Sequence, residues 1–152
     1  MATERSTKST IARVDALKAS TTPQHLVDII KRDGGVIVEN LISTSHAERI
    51  RNDLKPHFDG DKPDQYGFFP STTQRASGLF AYSDACVELA CAPLFIDVAN
   101  ALVSSTFSFW RGDKKKTVSG KPIISSTVGF RINPGGKQQV LHRDDKYAAD
   151  RW

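Results

Sequence analysis

The sequence predicts an α+β fold, and three observations carry that expectation. Helical apolar patterns occupy the first two thirds of the chain. Strand-like patterns take over from Phe107 onward, with period-two alternation at Val128, Phe130 and Ile132. No segment repeats, so the order is helices followed by antiparallel strands, with the helices packed against one sheet. With 152 residues, 39% apolar and 25% charged, the chain has the size and makeup of one folded domain.

The elements follow in order. Residues 1–21, rich in Ser, Thr and Lys, read as a flexible N-terminal arm, which leaves 22–152 as the domain. Thr22-Pro23 opens a helix: Thr can cap, and Pro suits a first turn whose N–H would be unpaired anyway. Leu26, Ile29 and Ile30 form its apolar face, and Gly34-Gly35 ends it. Val36-Ile37-Val38 reads as a short strand. Ser45 and Glu48 have capping-box spacing for a second helix that runs through Ala47, Ile50 and Leu54 to Pro56. From His57 to Ser77 the chain reads as a long irregular loop, of the kind that serves as a lid or binding loop. Ser83-Asp84 opens a third helix, and Pro93 separates it from a fourth. Strands are expected at Phe107–Trp110, at Ile123–Ile132 and, after the turn Asn133-Pro134-Gly135-Gly136, at about Lys137–Asp144.

Composition limits the function. No window approaches the roughly 18 consecutive apolar residues of a membrane span. The N-terminus lacks the apolar stretch of a secretory signal, so a cytoplasmic protein without a membrane partner is expected. The net charge of +4 is small. Its one cluster, Lys114-Lys115-Lys116, reads as a solvated hairpin loop with no recognition motif beside it, so no nucleic-acid partner is expected. Cys86 and Cys91 lie in an apolar helical pattern at a spacing that suits neither a zinc pair nor one helical face, and both read as buried thiols.

The chemistry-bearing segment is Gln139-Val140-Leu141-His142-Arg143-Asp144. On an extended strand, side chains at i and i+2 share a face, so His142 and Asp144 project together while Arg143 and Asp145 point away. An imidazole nitrogen and a carboxylate oxygen suit two adjacent positions on a metal. A second His would complete the two-His-one-carboxylate face of a non-haem iron(II) oxygenase. A His-x-Asp triplet alone is more often ordinary polar surface. The Pro-Gly-Gly turn and the alternating strand before it raise its weight.

The string Gln139-Val140-Leu141-His142-Arg143-Asp144-Asp145 resembles the Gln-x-hydrophobic-His-Arg-Asp-Asp motif of fungal members of the phytanoyl-CoA dioxygenase family. The stretch from Lys31 to Ile42 is similar to that family's helix–strand entry. Ser71–Phe80 and Ile123–Val128 are similar to dioxygenases of ergot alkaloid gene clusters. The resemblance implies a double-stranded β-helix, or jelly roll, present here as an incomplete one. It implies iron(II) held by His142 and Asp144, and 2-oxoglutarate as co-substrate contacted by Gln139. Arg75 takes the place of a basic residue that approaches the co-substrate. No catalytic residue beyond these is assigned. The implied reaction couples decarboxylation of 2-oxoglutarate to succinate with oxidation of a small alkaloid-type substrate.

The family pattern also places a second metal-binding His, and an Arg for the far carboxylate of 2-oxoglutarate, well beyond the His-x-Asp pair. Ten residues follow His142, and none is His. His25, His46 and His57 read as polar helix or loop residues. A jelly roll needs about eight strands, and roughly four are legible. The expectation is a truncated dioxygenase homologue, inactive alone, with the apolar faces of Val128, Phe130 and Ile132 left without cover. The alternatives are an active enzyme completed by another chain, as in a homodimer, and a non-catalytic partner module.

Overall fold

The computed structural model describes residues 11–63 and 65–139. Its first unit is strand–helix–strand. Strand β1 (Ala12–Asp15), helix α1 (Pro23–Asp33) and strand β2 (Val36–Glu39) place β1 parallel to β2, with Ala12 opposite Val36. Parallel neighbours need a crossover, and α1 supplies it. Thr22 caps α1, its hydroxyl accepting from the His25 N–H at 3.2 Å. Gly34, at φ +81°, closes the helix by donating to the Ile30 carbonyl at 2.8 Å. Leu26, Val27 and Ile29 are buried, each contributing about 1.5–3 kcal/mol. β1 falls within the stretch expected to be a loose arm. Ala-Arg-Val-Asp is too short and polar to announce a strand, and it forms one against β2, where Arg13 also pairs with Glu39 at 2.8 Å.

Helix α2 (Thr44–Asp59) corrects two expectations. Its cap is Ser43, whose hydroxyl accepts from the His46 N–H at 3.1 Å, while Ser45 only bonds the Ser43 hydroxyl. Ser43 has the extended backbone that a cap requires (φ −72°, ψ 160°). The helix also continues past Pro56. That residue removes one donor near the helix end, and the last turn closes when Gly60 donates to the Pro56 carbonyl at 3.0 Å.

Strand β3 (Thr73–Ser77) lies inside the expected loop. Thr-Gln-Arg-Ala-Ser has no apolar alternation, and it is extended because it pairs antiparallel with β6 (Val128–Ile132), Arg75 opposite Phe130. β6 is shorter than the expected Ile123–Ile132 run because β3 offers only five partners. A 3₁₀ turn at Leu79–Ala81 leads into α3 (Asp84–Ala90) and α4 (Pro93–Val103). Ser83 caps α3, and its hydroxyl donates to Asp53 of α2 at 2.7 Å. Cys86 is buried as expected, but Cys91, which caps the end of α3, is exposed, so only one of the two is a core thiol.

Strands β4 (Ser105–Arg111) and β5 (Lys114–Gly120) form an antiparallel hairpin. Gly112 turns it with the left-handed φ of +59° that a tight turn needs. Lys114, Lys115 and Lys116 are therefore strand residues opposite Arg111, Trp110 and Phe109, not loop residues. Every residue of this hairpin is exposed.

The described residues thus have α+β content, in three separate two-stranded sheets rather than the single expected sheet. α1 packs on α4, and α2 on β3 and α3. Residues 137–139 belong to no strand, and the rest of the expected last strand lies outside the described residues. Among the described residues no single helix is long and apolar enough to cross a membrane.

Candidate active-site cleft

The β3–β6 ribbon has two unlike faces. One lies on the end of α2. A Cβ on Gly129 would stand 3.1 Å from the Phe58 ring, so only glycine lets β6 approach this closely without movement. The Arg131 guanidinium lies over the same ring at 5.4 Å and pairs with Asp59. Gln74 joins the parts: its amide donates to the Phe58 carbonyl at 3.0 Å, and its oxygen accepts from Arg131 at 2.8 Å and from the Asn133 amide at 3.0 Å. Asn133 starts the turn expected from the sequence, with Gly135 at φ +91°.

The other face carries Arg75, Ser77, Val128 and Phe130 and opens on a cleft of about 590 Å³. His57 and Tyr82 form one wall, their rings stacked at 3.7 Å. Phe69 and Phe130 line another, 5.7 Å apart. Arg75 sits between, its guanidinium 4.9 Å above Phe69. It donates to both Asp61 carboxylate oxygens, at 3.2 and 3.3 Å, and to the Lys62 carbonyl at 3.1 Å. The Arg75 side chain, and then its backbone N–H, hold the Asp61 carboxyl below its ordinary value. The apolar residues of β6 remain open, with Phe130 52% and Ile132 70% exposed.

The residues singled out from the sequence are placed as follows. Arg75 lines the cleft. Gln139 is exposed at the end of the described chain. His142 and Asp144 lie outside the described residues. The other histidines are engaged elsewhere or stand apart: the His46 Nε2 is 2.8 Å from the Ala85 carbonyl, His57 stacks on Tyr82, and His25 lies on α1. Among the described residues no three His, Cys, Asp or Glu side chains cluster as a metal site. The fit of a metal therefore rests on the donor chemistry of the His142 and Asp144 pair. Sequence reasoning missed Asp61, Gln74 and Tyr82, because their partners lie 14 to 59 positions away with no local period to mark them.

Residues 30–151 match the phytanoyl-CoA dioxygenase (PhyH) family. The chain is 32% identical over 138 residues to dioxygenase himG of Aspergillus japonicus, covering 90% of this chain and 42% of the relative. It is 32% identical to dioxygenase peniF of Penicillium patulum, covering 83% and 41%, and 31% identical to dioxygenase cnsJ of Penicillium expansum, covering 85% and 40%. The chain thus spans about two fifths of the length of these curated fungal relatives. With the family match running over most of its length and through the His142-Arg143-Asp144 triplet, the chain belongs to the phytanoyl-CoA dioxygenase family.

Proposed function

We propose that this chain carries part of an iron(II)- and 2-oxoglutarate-dependent dioxygenase acting on a small molecule. The observation that carries the reading is a family match containing an imidazole and a carboxylate at i and i+2 of one segment. His142 and Asp144 would hold the iron, and Gln139 would contact 2-oxoglutarate. Iron with 2-oxoglutarate supplies the O₂-dependent oxidation that ends in succinate and an oxidised product. Arg75 already has Asp61 as its partner, so a 2-oxoglutarate carboxylate reaches it only in exchange for that pair. The domain segment takes in β1 as well as residues 22–152, and β3, β6 and the β4–β5 hairpin are strands of a jelly roll. The open apolar face of Phe130 and Ile132 supports that arrangement, since such a face suits a barrel interior. The resemblance to ergot alkaloid cluster dioxygenases points to an alkaloid-type substrate.

The 152-residue polypeptide presents two of the three protein ligands this reading requires. Succinate release by it alone is therefore expected to be low. The direct test is an anaerobic titration with iron(II) and 2-oxoglutarate, followed by the visible charge-transfer band of the ternary complex. Wild type should show a saturable band that Gln139→Leu weakens and Asp144→Ala removes. A band insensitive to both substitutions would overturn the reading.

A further inference from the structure

The cleft beside Arg75 has a composition that selects a ligand. At about 590 Å³ it falls within the roughly 300–1,000 Å³ range of small-molecule sites. Four rings line it: His57 and Tyr82 from one side, Phe69 and Phe130 from another. Aromatic walls favour flat π-systems, which stack or meet ring edges at little entropic cost. Its charged groups, Arg75 and Asp61, neutralise each other through two hydrogen bonds, at side-chain exposures of 23% and 18%. A carboxylate ligand would compete with Asp61 and a cationic one with Arg75, so the paired state favours neither.

We infer that this cleft binds the ring system of the organic substrate, and that the ligand class is a planar aromatic molecule of low net charge. The inference rests on the dioxygenase reading and deepens it by naming the substrate class. The rings come from separate elements: α2, the segment before β3, the segment after the 3₁₀ turn, and β6. The register of β6 on β3 places the Phe130 ring beside Arg75. Tyr82 and Phe69 are specificity-determining residues, while Asp61 is a positioning residue that holds Arg75 against Phe69.

The probe is norharmane, a fluorescent planar tricyclic, titrated against the 152-residue chain at a pH where it is neutral. Adamantane carboxamide, of similar bulk but without a π-face, serves as competitor, and Phe107→Leu on the exposed hairpin as control variant. Saturable binding should weaken about three- to tenfold in Tyr82→Leu and in Phe69→Leu, stay unchanged in Phe107→Leu, and resist the adamantane. Circular dichroism confirms that each variant is folded. Equal loss in Phe107→Leu would assign the binding to general apolar surface and overturn the inference. So would absent saturation or full displacement by adamantane. Norharmane binding needs no metal. Its failure beside intact iron(II) and 2-oxoglutarate binding defeats this inference alone, whereas failure of the iron titration defeats the dioxygenase reading.

Discussion

Arg131 donates to the side-chain oxygen of Gln74 at 2.8 Å, joining residues 57 positions apart. Through this bond the fourth residue of β6 is fixed to β3, and through Gln74 both are fixed to the end of α2 and to the Asn133 turn. Replacing Gln74 with Leu removes the acceptor of two donors and the donor of one carbonyl. The cost should be about 1–3 kcal/mol, towards the low end because the network is only part-buried. Urea denaturation should show a lower midpoint at unchanged slope. An unmoved midpoint would mean that water replaces the clamp.

Gly129 makes a second, steric test of the same junction. Gly129→Ala places a methyl group 3.1 Å from the Phe58 ring, so ring or strand must shift. Overpacking of this kind costs about 1–3 kcal/mol. Trimming the ring with Phe58→Leu should recover part of it, making the double variant less destabilised than the sum of the singles. Strict additivity in thermal unfolding would show that the contact is not limiting.

The core and the hairpin should respond very differently. Leu54 is 5% exposed, and Leu54→Ala should cost about 2–5 kcal/mol. Phe107 is 57% exposed on β4, and Phe107→Leu should stay within about 0.5 kcal/mol. A larger loss at Phe107 would show that the hairpin is covered in solution.

Acid should loosen the packing of the β3–β6 ribbon on both of its faces. Lys55 and then Arg131 hold the Asp59 carboxyl below its ordinary value of 3.8, and Arg75 does the same for Asp61. A depressed folded value means that the stabilisation is present above 3.8 and is lost as pH falls below it. The melting temperature should therefore drop as pH is lowered from about 5 towards 3. Asp61→Asn should be less stable at neutral pH and show a shallower acid decline. A parallel decline in wild type and variant would remove Asp61 from the account.

What the sequence disclosed and what it hid divide along a physical line. Local chemistry was legible: the Thr22 and Ser83 caps, the Gly34 stop, the break at Pro93 and the Asn133–Gly136 turn all act within a few residues of themselves. Features made by distant partners were not. β1 and β3 are polar pentamer-scale segments that become strands only against β2 and β6. The shift of the α2 cap from Ser45 to Ser43 turns on backbone angles that composition does not reveal. The cleft was half visible. Arg75 is legible in the sequence, but its Asp61 partner arises where the segment after α2 meets β3, and the His57–Tyr82 stack where α2 meets the segment before α3.

The central claim is that His142 and Asp144 hold a metal together, and manganese(II) is a convenient stand-in for iron(II). Electron paramagnetic resonance of free manganese, titrated with the 152-residue chain, counts the bound ion directly. Wild type should bind one equivalent. His142→Ala and Asp144→Ala should each weaken it by more than the roughly 10–100-fold that loss of an outer hydrogen-bond partner costs. Binding of equal strength in wild type and both variants would contradict the claim.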